Sequence, residues 1–195
     1  MRRALVLFAA SSLLVAHEAG AEERPTLDKA HRPPFAIQVT ALFGDGVRFN
    51  NPYRLSTVLG SDAESVSRTA SYVDFGAALL FGDPRGFLQG IAVRTSVAVE
   101  GIAQTVLTPS YQLFRRFGVT AAWARVGTPI ILSQVPTWGL EGALGGALFI
   151  RAGIGITAEL VFDAMFGVGT RESRITTYPI ASAQLGFVFH YEVLP

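Results

Sequence analysis

Apolar and polar side chains alternate along several segments of the chain. In residues 151–167, RAGIGITAELVFDAMFG, the even-numbered positions are mostly apolar and the odd-numbered positions mostly small or polar. Successive side chains of a β-strand leave on opposite faces, so a period of two predicts a strand with one apolar face. The alternation alone does not say whether that face meets a protein core or lipid.

The same pattern predicts eight strands, at residues 35–44, 70–81, 87–100, 106–114, 119–126, 139–149, 151–167 and 180–193. The register of the fifth strand stays open, because Val119, Trp123 and Arg125 share one parity. Residues 44–69 form a long loop, in which residues 50–60 could extend a strand through YRLSTVL. The two prolines of GTPIILSQVPTW predict another wide connection. Long and short connections then alternate along the chain.

The first 21 residues are typical of a secretory signal peptide. Two arginines precede an apolar stretch from Ala4 to Ala16, and Ala19-Gly20-Ala21 provides a small-x-small cleavage site. The apolar stretch is short for a spanning helix, which needs roughly 20 residues. We therefore predict a signal peptide at 1–21, a flexible lead-in at 22–34 and one domain at 35–195.

Composition favours a membrane barrel for that domain. Half of the residues are apolar and the mean hydropathy is +0.38, yet no apolar run after the signal approaches the 18 residues of a membrane helix. A transmembrane barrel spreads its apolar residues over every second position. The predicted strands also approach the roughly 9–11 residues of a tilted crossing.

The polar parity favours a confined lumen over open water. It is built mainly of Gly, Ala, Ser, Thr and Gln with isolated charges. The only lysine is Lys29, whereas a soluble sheet normally uses lysine to protect its edges. Aromatic residues predict girdles at both ends of the strands: Tyr72, Trp138, Phe166 and Tyr178 near the long loops, and Phe35, Phe81, Phe87, Phe149, Phe189 and Tyr191 near the short turns.

This layout resembles the small eight-stranded outer-membrane barrels of the OmpA-like and OmpX-like type. The resemblance covers residues 35–193 and rests on the strand layout, the hairpin GALGGALFIRAGIGITAELVF and the final strand AQLGFVFHYEVL. It implies an all-β, eight-stranded antiparallel up-and-down transmembrane β-barrel in the outer membrane, inserted by the barrel assembly machinery. The chain departs from the assembly signal by ending Glu192-Val193-Leu194-Pro195 instead of in an aromatic residue.

The polar parity predicts a lumen network of eight residues: Asp74, Arg94, Glu100, Arg125, Glu141, Glu159, Asp163 and His190. An eight-stranded barrel is just wide enough for side chains to fill it, and buried charges must be paired or hydrated. We expect Arg94, with Arg125 as a second candidate, to bridge Glu141 and Glu159. The network is a structural plug on this interpretation, and a proton or ion path is the alternative.

Long-loop arginines are candidate contacts for lipopolysaccharide phosphates, namely Arg48, Arg54, Arg68, Arg171 and Arg174. Ordinary solvated loop charge is the alternative. Without the signal, 16 basic and 15 acidic residues become 14 of each, so no basic excess favours nucleic acid. The sequence shows no cofactor motif and no metal-ligand spacing.

We therefore expect a structural or surface-interaction role, with the loops meeting lipopolysaccharide or an external partner. A narrow channel for small or hydrophobic solutes is the first alternative. A lipid-modifying enzyme and a soluble lipocalin-like carrier follow. We predict no enzyme, because His31 and His190 are the only histidines after the signal and no triad partners can be placed around His190. The oligomeric state is not predicted.

Overall fold

The computed structural model describes residues 35–49, 66–101, 103–132, 137–151, 153–166 and 177–193. The predicted signal peptide, the lead-in and the strand extension at 50–60 lie outside these residues. The described part contains ten antiparallel strands: β1 Phe35–Phe49, β2 Val66–Arg68, β3 Tyr72–Gly82, β4 Leu88–Ala98, β5 Thr105–Phe117, β6 Thr120–Gly127, β7 Ile130–Leu132, β8 Thr137–Arg151, β9 Ile154–Phe166 and β10 Tyr178–Val193.

The sheet closes on itself. Its eight long strands follow one another in the order β1, β3, β4, β5, β6, β8, β9 and β10, and β10 returns to β1. The closing pair is continuous from Phe35 opposite Val193 to Arg48 opposite Ile180. The predicted eight-stranded antiparallel up-and-down barrel is confirmed. No helix in the described ranges is long and apolar enough to cross a membrane.

The short strand β7 continues β6 beyond a proline. Both strands keep one register against β5 and one against β8. Pro129 removes a single donor from the ladder, but its carbonyl still accepts from the Gly139 amide at 2.9 Å, and Thr128 donates to the Pro109 carbonyl at 3.0 Å. The wide connection predicted at 127–138 was therefore wrong, since the strand extends to Leu132.

The other short strand, β2, continues β3 beyond a bulge. Arg68 is opposite Val47 and Tyr72 is opposite Gly44, so three residues on one strand oppose two on β1. One extra residue in a strand is a β-bulge, which bends and twists the strand locally. The amide of Thr69 still donates to the Gly46 carbonyl at 2.9 Å, so the ladder continues towards the loops.

The register fixes the tilt of the strands. Starting at Gln38, each step crosses to the paired residue on the next strand, and the circuit returns to β1 at Arg48, ten positions along. The intermediate residues are Ala78, Ala92, Ser110, Gly127, Glu141, Asp163 and Ile180. A shear of ten over eight strands corresponds to a tilt of about 40°, which leaves a lumen that side chains can fill.

The apolar parity faces outward. Along β9, Ile156, Leu160 and Phe162 are 44%, 53% and 55% exposed, whereas Thr157 and Glu159 are buried. Leu144 on β8 and Phe187 on β10 are likewise exposed. Because such a surface is unstable in water and every strand of the barrel is paired, the chain is a transmembrane barrel of the outer membrane. A soluble lipocalin-like arrangement, with these side chains in a central core, is not what the structure shows.

The open register of the fifth predicted strand is resolved by β6. Trp123 and Arg125 both point into the lumen and are 4% and 5% exposed, while Val119 lies in the turn before the strand and is 64% exposed. Trp123 is interior because its indole N–H donates to Glu159 at 2.6 Å. A bulky aromatic residue therefore shares the polar face with a charge.

Three connections at one end of the barrel are short. Two residues separate β5 from β6, two positions separate the end of β8 from the start of β9, and five residues, 83–87, separate β3 from β4. Gly118 and Gly153 adopt φ angles of +65° and +82°, which glycine reaches without the strain of a Cβ atom. Short turns of this kind face the periplasm in outer-membrane barrels. The first residue of β1 and the last residue of β10 lie at the same end as these turns.

The predicted aromatic girdles are only partly correct. Trp138 and Phe166 pack together on the outer face at the loop end, with ring centroids 5.2 Å apart. Three aromatic residues assigned to the girdles instead point into the lumen: Tyr72, Phe149 and Tyr178. They follow the inward parity of their strands, and the aromatic residue type at a strand end did not reveal that.

We expect Leu160→Arg, at the middle of β9, to lower the free energy of unfolding by about 2–4 kcal/mol, because it places a charge in the hydrocarbon layer. The measurement is a urea titration in phospholipid vesicles. Val119→Arg is the matched control, since this turn residue lies outside the spanning strands and we expect a change below about 1 kcal/mol. Equal effects of the two substitutions would contradict a lipid-facing Leu160.

Candidate functional site

A buried cluster of charged residues occupies the middle of the lumen. It is built from inward positions of five strands, with Asp74 on β3, Arg94 on β4, Arg125 on β6, Glu141 on β8 and Glu159 on β9. None of these residues is more than 6% exposed. The period of two places each of them on the inner face, and the closed register brings strands distant in sequence to one depth.

Arg94 connects both sides of the lumen. Its Nε donates to Asp74 Oδ1 at 2.8 Å, and Nη2 lies 2.6 Å from Asp74 Oδ2. Its Nη1 lies 3.4 Å from Glu141 and 3.3 Å from Glu159, and Nη2 donates to Gln184 Oε1 at 2.8 Å. A single guanidinium therefore joins β4 to β3, β8, β9 and β10.

Arg125 makes the second half of the cluster. Its two terminal nitrogens donate to the two oxygens of Glu159 at 2.9 and 3.0 Å, which is the bidentate geometry that favours arginine over lysine. Its Nε donates to Glu141 at 3.1 Å. The structure thus brings Arg94, Arg125, Glu141 and Glu159, the four residues expected to form a bridge, into mutual contact.

The cluster has more acid than base. Two arginines meet the carboxylates of Asp74, Glu141 and Glu159, and Asp163 lies directly opposite Glu141 on β9. One oxygen of Asp163 is inaccessible to solvent and has no hydrogen-bond partner among the described residues. A buried carboxylate depends on paired cations and donors, so loss of either arginine would leave negative charge uncompensated.

Apolar layers lie on both sides of the cluster. Towards the short turns, a group of buried side chains includes Leu80, Leu88, Phe114, Phe149 and Val188. Towards the loops, a smaller group contains Ile131, Met165 and Tyr178, with Val106 and Ile180 packed against it. The cavity beside Arg94 and Arg125 has room for about one water molecule. The described lumen is therefore filled along its length.

One residue assigned to the lumen network, Glu100, lies outside the lumen. Glu100 follows the end of β4, where the chain bends away from the inward parity, and its side chain is 39% exposed. It accepts from the Ser71 amide at 3.0 Å and the Ser71 hydroxyl at 2.9 Å and pairs with Arg68. These Ser71 donors, with Arg68, hold the pKa of the Glu100 carboxyl below its usual range. The expectation that Glu100 joins the lumen network was wrong.

His190 is inside the barrel but apart from the central cluster. Its ring stacks on Phe114 at 4.6 Å and lies 6.1 Å from Phe149, within the apolar layer near the short turns. Its Nε2 is 3.4 Å from Glu192, and neither ring nitrogen has a hydrogen-bond partner among the described residues. The ring therefore fills space near the periplasmic mouth.

Of the five candidate lipopolysaccharide contacts, Arg54, Arg171 and Arg174 lie outside the described residues. Arg68 is half-exposed but is already paired with Asp45 at 2.7 Å and Glu100 at 3.0 Å. Arg48 is at an inward position of β1, with its guanidinium 5.5 Å from the Tyr178 ring. Neither described arginine presents a free guanidinium to the outer membrane surface.

The described residues show no arrangement for catalysis around His190, and none of their His, Asp and Glu side chains form a group of three or more suited to a metal ion. Two polar partners of the cluster, Trp123 and Gln184, were missed from the sequence. Three further polar residues of the lumen were missed as well: Gln38, Gln112 and Tyr72. Their inward parity was visible for β1, β3 and β10. Only charged side chains were considered, and that omitted the neutral donors and acceptors.

Comparisons with known proteins concern the fold alone. No protein-family model and no curated protein matches the chain. Among solved structures it is similar to Neisserial surface protein A, with 9% identity, 80% of this chain and 96% of the other covered, and a TM-score of 0.47. It is also similar to Ail, the attachment invasion locus protein of Yersinia pestis, with 8% identity, 82% of this chain and 99% of the other covered, and a TM-score of 0.49. For the outer membrane protein OprG of Pseudomonas aeruginosa the identity is 10%, the coverage is 83% of this chain and 97% of the other, and the TM-score is 0.39. The assignment as an outer-membrane barrel rests on this chain's own strand pairing and apolar outer face.

We expect Arg125→Met to lower the free energy of unfolding by about 3–5 kcal/mol, because it leaves Glu141 and Glu159 buried with one arginine between them. Adding Glu159→Gln removes one of these charges, so the double variant should recover part of the loss. Urea titrations of the wild type, both single variants and the double variant form the thermodynamic cycle. Strictly additive effects would contradict a coupled pair.

Proposed function

We propose that this outer-membrane barrel has a structural or surface-interaction role and does not conduct solutes. The filled lumen is the observation that carries the proposal. A pore needs a continuous wet path, whereas the side chains of Arg94 and Arg125 cross the middle of this barrel and apolar layers close it on both sides. Function is then left to the surfaces, above all to the loops.

The loop end is the side proposed to meet lipopolysaccharide or an external partner. The strand ends joined by the two longest connections, residues 50–65 and 167–177, lie at this end, opposite the short turns. They contain Arg54, Arg171 and Arg174. A guanidinium fork matches the geometry of a phosphate group, and the pairing of Arg68 with two carboxylates leaves these three arginines as the candidates for that contact.

Insertion by the barrel assembly machinery is part of the same proposal. The final strand, β10, presents Phe187, Phe189 and Tyr191 outward, with Phe189 and Tyr191 stacked at 6.5 Å. These residues give the strand the aromatic outer face of an assembly signal.

A narrow channel is the main competing function, and among the described residues the polar cluster is the candidate path for it. We expect the purified protein to give no steady conductance in a planar lipid bilayer, because about one water fits beside the cluster. Glu159→Gln tests the competing function directly. A steady wild-type current that Glu159→Gln abolishes would overturn the sealed-lumen proposal.

We expect Arg171→Gln together with Arg174→Gln to reduce the lipopolysaccharide that co-purifies with the protein, because phosphate recognition loses two guanidinium groups. Quantifying lipid A by mass spectrometry is the measurement. Arg68→Gln is the control, since it removes one loop-end guanidinium that is already paired with Asp45 and Glu100. An equal loss in the control would show that net loop charge, not these two residues, governs the association.

A further inference from the structure

Arginines outnumber carboxylates at the short-turn end of the barrel. The charged residues described there are Arg85, Arg115, Arg116, Arg151, Asp83 and Glu192. Arg116 pairs with Glu192 at 3.3 Å, and Asp83 accepts from the backbone amide of Arg85. Within the described ranges, the guanidinium groups of the other three arginines form no ion pair. This end therefore has unpaired positive charge next to the membrane.

Arg115 lies on the outer wall of the barrel. It occupies an outward position of β5, between Leu113 and Phe117, which are 38% and 53% exposed. Its guanidinium carbon is 4.8 Å from the Phe87 ring centroid and 5.1 Å from that of Phe117. Two exposed rings thus hold a cation at the membrane boundary, two residues from the end of the strand.

A second polar group lies beside Arg115 on the same face. Gln89 is opposite Leu113 in the β4–β5 pair, so it falls between Tyr111 and Arg115 on the outer surface. The Tyr111 hydroxyl donates to the Gln89 carbonyl oxygen at 2.6 Å. The Gln89 amide nitrogen has no acceptor among the described residues, and Gln89 shares the outer face with Arg115, diagonal to it across the β4–β5 pair.

We propose that Arg115 and Gln89 bind the headgroup phosphate of an anionic phospholipid in the periplasmic leaflet. The guanidinium supplies a charge-assisted donor pair and the Gln89 amide a neutral one. Next to them on the outer surface, Leu113 and Ile91 face outward and form an apolar wall that an acyl chain can contact. Phosphate held at this depth and beside this wall comes from a lipid, because the cation–π contacts keep the guanidinium on the barrel's outer surface.

The test compares retention of phosphatidylglycerol and of phosphatidylcholine with the same acyl chains by the full-length protein, using native mass spectrometry from mixed micelles. The wild type should prefer phosphatidylglycerol, and Arg115→Gln should reduce that preference by about fivefold, the effect of one arginine near an anionic surface. Arg68→Gln at the opposite end is the matched control and should leave the preference unchanged. Equal losses in the two variants, or no preference in the wild type, would overturn the proposal.

Two further arms complete the test. Inorganic phosphate at millimolar concentration should leave the lipid bound, and full displacement by phosphate would show a site for a soluble anion and overturn the lipid assignment. If Arg115→Gln fails to give the heat-modifiable band of a folded barrel, Phe87→Leu with Phe117→Leu replaces it. This variant keeps the charge but removes the rings that hold it, so we expect a weakened preference, and an unchanged one would overturn the proposal.

Discussion

The need to pair every backbone N–H and C=O group inside hydrocarbon governs this structure. A sheet can meet that need only by closing, and here closure is made by the long β1–β10 pair. The same need explains where the irregular positions of the sheet lie. Pro129 and the bulge at residues 69–71 both lie towards the loop end of their strands, where the missing or displaced bonds are outside the middle of the membrane.

Closure with a shear of ten gives a lumen that cannot stay empty or hold free charge. The inner face must fill with side chains, and each buried charge needs a partner across the barrel. Arg94 and Arg125 meet that requirement for three carboxylates from three strands. The same packing that stabilises the barrel fills its lumen, so stability and the proposed lack of conduction have one cause.

Strand count, outward parity and the position of the charged cluster could be predicted from the sequence, because a period of two determines which face a residue occupies. Glu100 could not be placed, since its parity matches that of Arg94 but the strand ends at Ala98. Pro129 predicted the end of a strand that in fact continues to Leu132, because the ladder tolerates the loss of one donor. Phe149 and Tyr72 point inward because they follow the parity of their strands, which the assignment to girdles by residue type overlooked.

The hydrogen bond from Arg94 to Gln184 joins residues 90 positions apart in the chain, and the contacts of Arg94 with Glu141 and Glu159 span 47 and 65 positions. In a partly formed sheet without β8, β9 and β10, Arg94 has Asp74 on the neighbouring strand as its charged partner. Until β8 and β9 come next to Arg94, their acidic groups lack one of their two arginine partners. A half-assembled sheet must therefore keep its inner face hydrated while its outer face enters lipid. The lumen loses its water only when β1 and β10 pair. Closure of the sheet and loss of water from the lumen are therefore one step of assembly.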